Sequence, residues 1–390
     1  MAHYKTFLSL VMGCFLSHHT QLFAQYVGIT YVTGTDVGSV SNAISAQCTT
    51  GGTVVMPASV TFSSPLNFKC PNSSTPNRVT LKGAPTKVTC STGALPCIDI
   101  GDFGGTANYR PGLGFEDIDL IGPGAGVTGS IGLELLPLSG QTILKNVRVD
   151  NFDTGVHVYG QTGTSGLLWS VYFSDLVVGF GSGNSGASQN TVNVAVHLEG
   201  PVANIRFNGF ELSGTKREIL ADGAAGSGAG ATFSNGSFNR TTVPGTAAVS
   251  VSSSDAAVRE LILDNIEDWE GACPALEVGQ HARVVVSNVA FTGDTQNSTG
   301  QPFFRILPST VSWLRISNAN LIACAGGAPT IKVESSTALM TVTGSDIYGP
   351  INFTVGGYGA ITGNRCSTAG QPSGVLTAVR SAGNLGCADH

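Results

Sequence analysis

Two short strings, Val156-His157-Val158-Tyr159 and Val196-His197-Leu198-Glu199, set a histidine among aliphatic residues with a second polar side chain two positions on. Alternation along a strand sends the aliphatics to one face and His157, Tyr159, His197 and Glu199 to the other. Glu134 has the same setting in Leu133-Glu134-Leu135. Imidazole beside carboxylate is the material of acid–base catalysis, with Glu134 or Glu199 as general acid or base and His157 in the catalytic set. Tyr159 and His197 would bind a sugar by stacking and hydrogen bonding. A second group is Asp268-Trp269-Glu270, read as a turn, with Glu277 on the following strand, Arg305 beyond it and then Lys332. An exposed Trp269 beside acids suits carbohydrate stacking, and Arg305 and Lys332 could supply the charge and base that a uronate lyase needs. The plainer reading of both groups is a solvated polar face, with Trp269 covering the edge of a core.

What must position these side chains is a repeat. Leu144-Lys145-Asn146-Val147-Arg148-Val149 follows the pattern apolar, any, Asn/Asp/Gly, apolar, any, apolar. It recurs around Asp117, Asp175, Gly209, Asn235, Asn265, Asn288, Asn318 and Gly344. Nine pivots between 117 and 344 give a mean step of about 28 residues, the period of a solenoid or propeller. Three strands per repeat are too few for a propeller blade, so the pattern predicts a parallel β-helix. At the pivot the chain must turn through the left-handed region, which Asn, Asp and Gly tolerate. Stacked about 4.8 Å apart, asparagine pivots can form an amide ladder.

The pivots also fix the phase. The first strand of each coil is expected near Ile131–Leu135, Val156–Tyr159, Val194–Glu199, Ile219–Ala221, Ala248–Ser252, Leu276–Val278, Phe304–Leu307, Thr330–Glu334 and Ile351–Val355. Glu134, His157, His197, Glu199, Ser250, Glu277, Arg305, Lys332, Glu334 and Asn352 then point outward on one face. Glu134 and Glu199 fall two coils apart, and tilt of the side chains could bring the carboxyls within the ~6.5–9.5 Å of inverting glycosidases.

Composition agrees with a β solenoid in an oxidising compartment. Charged residues make up 11% of the 390 and glycine fills 52 positions, too apolar a chain for disorder. Lys5, an apolar stretch over Phe7–Leu16 and the small-residue end at Ala24 are those of a secretory signal. Losing Lys5 with that signal leaves the chain one unit more acidic than its formal −6. That balance disfavours nucleic acid, anionic membranes and polyanionic substrates, unless calcium bridges the last. No later run is long enough to span a bilayer. Without Cys14 the cysteine count is even, which points to disulfides. Cys90/Cys97 and Cys366/Cys387 are plausible local pairs, and Cys48/Cys70 and Cys273/Cys324 further candidates. The spacings are not those of a zinc site.

Residues 35–83 carry a resemblance. Thr35-Asp36 leads into Val40-Ser41-Asn42-Ala43-Ile44, then Gly51-Gly52-Thr53-Val54-Val55-Met56-Pro57, Ser64-Pro65-Leu66 and Val79-Thr80-Leu81-Lys82-Gly83. This resembles the opening of the pectate-lyase-like superfamily of right-handed single-stranded parallel β-helix proteins, the pectin lyase fold. A single Asp36 stands where two acids are common, and Ser59 where glycine is usual. The resemblance implies an all-β fold: a right-handed parallel β-helix of about ten coils, its open end covered by an N-terminal helical cap. Expected boundaries are 1–24 for the signal, 25–100 for the cap and first coils, 101–365 for the coils, and 366–390 for a C-terminal cap or tail. The polygalacturonase signature (Asn-Thr-Asp, Asp-Asp, Gly-His-Gly, Arg-Ile-Lys) is absent, as is the acidic calcium cluster of pectate lyases, so no catalytic residue comes with it.

Function therefore rests on the outward face. The expectation is a secreted polysaccharide-active protein, extracellular or periplasmic, of glycoside hydrolase or polysaccharide lyase type. Polysaccharide is its partner, no residue is assigned to a metal, and calcium enters only for a lyase. The alternative is a non-catalytic glycan-binding or adhesion module on the same ladder, or a trimeric spike.

Overall fold

The computed structural model describes residues 28–390 except 71–77, 102–112, 138–140, 162–167, 180–191, 214, 227–229, 242–244, 272, 292–299, 310, 323, 325–327, 368–371, 375–377 and 386–390. The expected signal segment, residues 1–24, lies outside the described residues.

The chain winds as a right-handed parallel β-helix. One face is a 12-stranded parallel sheet running from Leu66–Phe68 to Pro372–Gly374. It contains every first strand that the pivots predict, and adds Leu66–Phe68, Pro96–Ile100 and Pro372–Gly374 at its ends. In most coils the second and third strands run on through the pivot without a break, as in Ile143–Asp150, while at Gly344 they part into Leu339–Thr343 and Asp346–Ile347, and all join one bent 17-stranded sheet. All nine predicted pivots have positive φ, from Asn146 at 51° to Gly209 at 66°.

Side-chain bonding follows from this stacking. Asn146 Nδ2 donates to Asp117 Oδ1 at 2.9 Å, and Asn265 Nδ2 to Asn235 Oδ1 at 2.7 Å. Asn318 Nδ2 donates to Asn288 Oδ1 at 3.3 Å. Gly209 interrupts the ladder, since a Cβ there would meet Asp175 Oδ1 at 2.8 Å. Asn235 turns instead to Asn208 Oδ1, at 2.6 Å.

Inward positions repeat from coil to coil, so like side chains stack. Phe173, Phe207 and Phe233 lie face to face with centroids 4.3 and 4.1 Å apart. Such pairs add about 0.5–1.5 kcal/mol each beyond the burial of their area. The helix Val37–Gln47 covers the first coils. Asp36 caps it by accepting from the Ser39 backbone N–H at 3.0 Å, and Val40 and Ile44 are buried in the same core as the coils. The hydrogen bonds from Ser39 hold the Asp36 carboxyl below its ordinary value. Disulfides join Cys48–Cys70, Cys90–Cys97 and Cys273–Cys324. Cys366 is also disulfide-bonded, and its expected partner Cys387 lies outside the described residues. Disulfides fit an oxidising compartment. Among the described residues, no helix is long and apolar enough to cross a membrane.

Candidate functional site

Register in the 12-stranded sheet is one to one. Asn67 pairs with Asp99, Asp99 with Glu134, Glu134 with His157, and His157 with His197. The row continues through Leu220, Ser250, Glu277, Arg305, Lys332 and Asn352. Two residues further along the strands a second column sets Tyr159 beside Glu199 and Glu199 beside Asp222.

His157 joins the two columns. Its Nδ1 lies 2.9 Å from Glu134 Oε1 and its Nε2 lies 3.1 Å from Glu199 Oε2. The His197 ring stacks on it at 4.8 Å and sets its own Nε2 2.8 Å from Asp222 Oδ1. Each imidazole thus reaches diagonally to the carboxylate of the next coil. Tyr159 closes the group, its ring centroid 5.7 Å from that of His157. Glu134 is 16% exposed within the row, while Glu199 is 40% exposed in the second column. With His157 spanning them, the two carboxyl groups are held no more than about 8 Å apart, within the range of inverting glycosidases.

Two members of the site were not foreseen. Burial raises the Asp99 carboxyl to about 7, and the neighbouring charge of Glu134 adds to the effect while Lys69 opposes it. Near neutral pH the Asp99 carboxyl is therefore about half protonated, beside Glu134. The pivot phasing began at Ile131, one coil too late to see Asp99 on this row. Burial also raises the Asp222 carboxyl, but the hydrogen bond and charge of His197, with Arg259 and Arg217, outweigh it and hold it below the ordinary range. The phased strand ended at Ala221, one residue short of Asp222.

Beneath the site lies Arg259, only 2% exposed. Its Nε donates to Ser252 O at 2.9 Å, and its Nη2 to Gly200 O at 3.1 Å, to Gly223 O at 3.3 Å and to Asp222 O. It holds the backbone immediately after Glu199 and at Asp222. Burial lowers its pKa to about 10 against the pull of Asp222, Asp255 and Glu199, so it keeps its charge at neutral pH.

The second predicted group does not assemble as expected. Trp269 is not an exposed stacking surface: it is 1% exposed, in the strand Arg259–Gly271, packed on Phe238 and Phe291 at 4.7 and 4.9 Å. The strand bulges by one residue between Ile266 and Trp269, which inverts the alternation and turns the indole into the core. Glu277, Arg305 and Lys332 do face outward, but in an ion-paired chain with Glu334. Arg305 Nη1 lies 3.4 Å from Glu277, Arg305 Nε 2.7 Å from Glu334 Oε2, and Lys332 Nζ 2.6 Å from Glu334 Oε1. Burial pushes the Glu334 carboxyl up, and the bonds and charges of Lys332 and Arg305 bring it below its ordinary value. Three strand spacings, about 14 Å, separate this chain from the His197 coil.

No protein-family description and no curated protein matches the sequence. Among solved structures, the chain is similar to the Geobacillus virus E2 ORF18 protein (TM-score 0.45, 12% identity over 95% of this chain). It spans 64% of the length of that protein. It is also similar to an endo-xylogalacturonan hydrolase from Aspergillus tubingensis (TM-score 0.36, 12% identity, 93% of this chain and 99% of the other). The functional reading rests on the side chains alone.

Proposed function

We propose that this chain is a secreted, polysaccharide-active protein that hydrolyses glycosidic bonds on the outward face of its 12-stranded sheet. The observation that carries the reading is the Glu134–His157–Glu199 chain, two carboxyl groups set by one imidazole at a separation suited to inversion. On the acid side, Glu134 is the general acid toward the leaving oxygen, and the neighbouring Asp99 carboxyl, raised to about 7, is the source of its proton near neutrality. On the base side, the more exposed Glu199 receives a proton from the attacking water, with His157 and its stacked partner His197 fixing where that carboxylate lies. Tyr159 offers a ring beside the reacting groups. The acidic patch favours a neutral glycan over a polyuronate. The ion-paired chain of Glu277, Arg305, Lys332 and Glu334 continues the same face and suits hydrogen bonding to further sugar units.

The test is release of reducing ends from a panel of neutral plant and microbial polysaccharides, with product anomers followed by NMR. Glu134→Gln and Glu199→Gln are each expected to lower the rate at least about 100-fold with unchanged melting temperature, and the first product should have inverted configuration. Wild-type rates in both variants would refute the assignment. Glycan binding that is lost in Tyr159→Ala, with no hydrolysis on any substrate, would make the face a binding module instead.

A further inference from the structure

His157, His197 and Glu199 each offer one ligand atom, and the three atoms lie within 4.8 Å of one another, half-buried on the outward face. We propose that this cluster is a binding site for a divalent transition-metal ion of the zinc class. It rests on the same residues as the hydrolase reading but requires no glycan.

Three observations lead here. The first is charge. Two imidazoles face three carboxylates: Glu134, Glu199 and Asp222. The carboxylates outnumber the imidazoles, and a cation between His157 Nε2 and Glu199 Oε2 adds positive charge among them, while His157 Nδ1–H donates to Glu134 and Nε2 presents its lone pair.

The second is orientation. A carboxylate on the far nitrogen of a metal-bound histidine fixes its tautomer and raises its basicity. Glu134, 16% exposed and 2.9 Å from Nδ1, already occupies that place. Asp222, the register neighbour of Glu199, lies 2.8 Å from His197 Nε2.

The third is size and softness. Metal–ligand bonds of ~2.0–2.2 Å bring ligand atoms to ~3–4 Å of one another. The 3.1 Å between His157 Nε2 and Glu199 Oε2 is near that value, and rotation of the 40% exposed Glu199 side chain closes the remainder. Two imidazoles and a carboxylate select zinc-class ions, whereas calcium prefers all-oxygen sites. Arg259 ties down the backbone on which Glu199 and Asp222 sit, so the ligands are held before any ion arrives. Bound there, the ion would take the place of the proton between His157 and Glu199 and polarise a water or a sugar hydroxyl at the same point.

The experiment is calorimetric titration of the full secreted chain, stripped with chelator, with Zn²⁺ and separately with Ca²⁺, repeated with Co²⁺ by absorption. One equivalent of Zn²⁺ is expected to bind, with Ca²⁺ far weaker. His157→Ala and His197→Ala should each reduce zinc affinity at least about tenfold, and Glu134→Gln by about 10–100-fold. Asp346→Asn, on the other sheet, should leave it unchanged. Glu199→Gln, which keeps the volume of the side chain, guards against loss by misfolding, and every variant is melted without metal. Absence of zinc binding in the wild type, binding unchanged in His197→Ala, or calcium bound as well as zinc would each overturn the site. Zinc binding without hydrolysis of any glycan would leave the metal site standing and remove the hydrolase reading. Hydrolysis by the stripped protein that zinc does not alter would do the reverse.

Discussion

Replacing Asp99 by asparagine is expected to make the protein more stable at neutral pH and to flatten its dependence on pH. The Asp99 carboxyl lies among the coils beside Glu134, and burial first, then that neighbouring charge, raises its pKa from 3.8 to about 7. The folded form therefore holds this proton more tightly than the unfolded chain. Below about pH 4 both forms are protonated and there is no penalty. Between about pH 4 and 7 only the unfolded chain releases the proton, so stability falls as pH rises, and above about 7 the whole penalty applies. A difference of about three pK units corresponds to about 4 kcal/mol. The side chain is partly open to water, and solvent screening reduces this to about 2 kcal/mol. Asparagine cannot ionise and keeps an N–H that can donate to Glu134. The comparison is urea and thermal unfolding of wild type and Asp99→Asn from pH 4 to 8. The two should coincide near pH 4 and diverge above it, with the variant ahead by about 2 kcal/mol, or about 2–3 °C for a chain of this size, by pH 8. Parallel curves, or a wild type that gains on the variant as pH rises, would refute the raised pKa of Asp99.

Other consequences are as direct. Asn146→Ala should cost about 2 kcal/mol, because alanine resists φ of 51° and the bond to Asp117 is lost; Asn146→Gly should cost less, and unfolding midpoints separate the two. Trp269→Ala should cost about 3–5 kcal/mol and lower the yield of folded protein without a specific loss of glycan binding, the opposite of what a stacking residue would show. Arg259→Lys, which keeps the charge but not the fork, should cost about 1–3 kcal/mol in chemical denaturation through the carbonyls it leaves unbonded at Gly200, Asp222 and Gly223.

Most of the coil was legible in the sequence because its rules are local. A residue that must adopt positive φ has to be Asn, Asp or Gly wherever the coil lies, so the pivots at 117, 146, 175, 209, 235, 265, 288, 318 and 344 could be counted without a structure. Alternation by two placed His157 outward for the same reason, and once the pivots set the phase, Glu134, His157 and His197 fell into one row. The fold implied by the opening residues, a parallel β-helix with a helix over its first coils, is the fold of the chain. The pairs Cys48–Cys70, Cys90–Cys97 and Cys273–Cys324 stood among the candidates by spacing, but closing the last, 51 residues apart, took the stacking of coils to decide.

What tertiary structure alone decided depends on neighbours in other coils. Trp269 was lost to the core by one extra residue in its strand, a bulge whose cost is met by packing on Phe238 and Phe291 rather than by any propensity of its own residues. The proton on Asp99 comes from burial and from a charge 35 positions away, and the clamp of Arg259 from carbonyls one and two coils back. Sequence alternation could name the face on which His157 stands. Only the stack of adjacent strands set Glu134 against one of its nitrogens and Glu199 against the other, because those contacts are made through space, across rungs of the sheet.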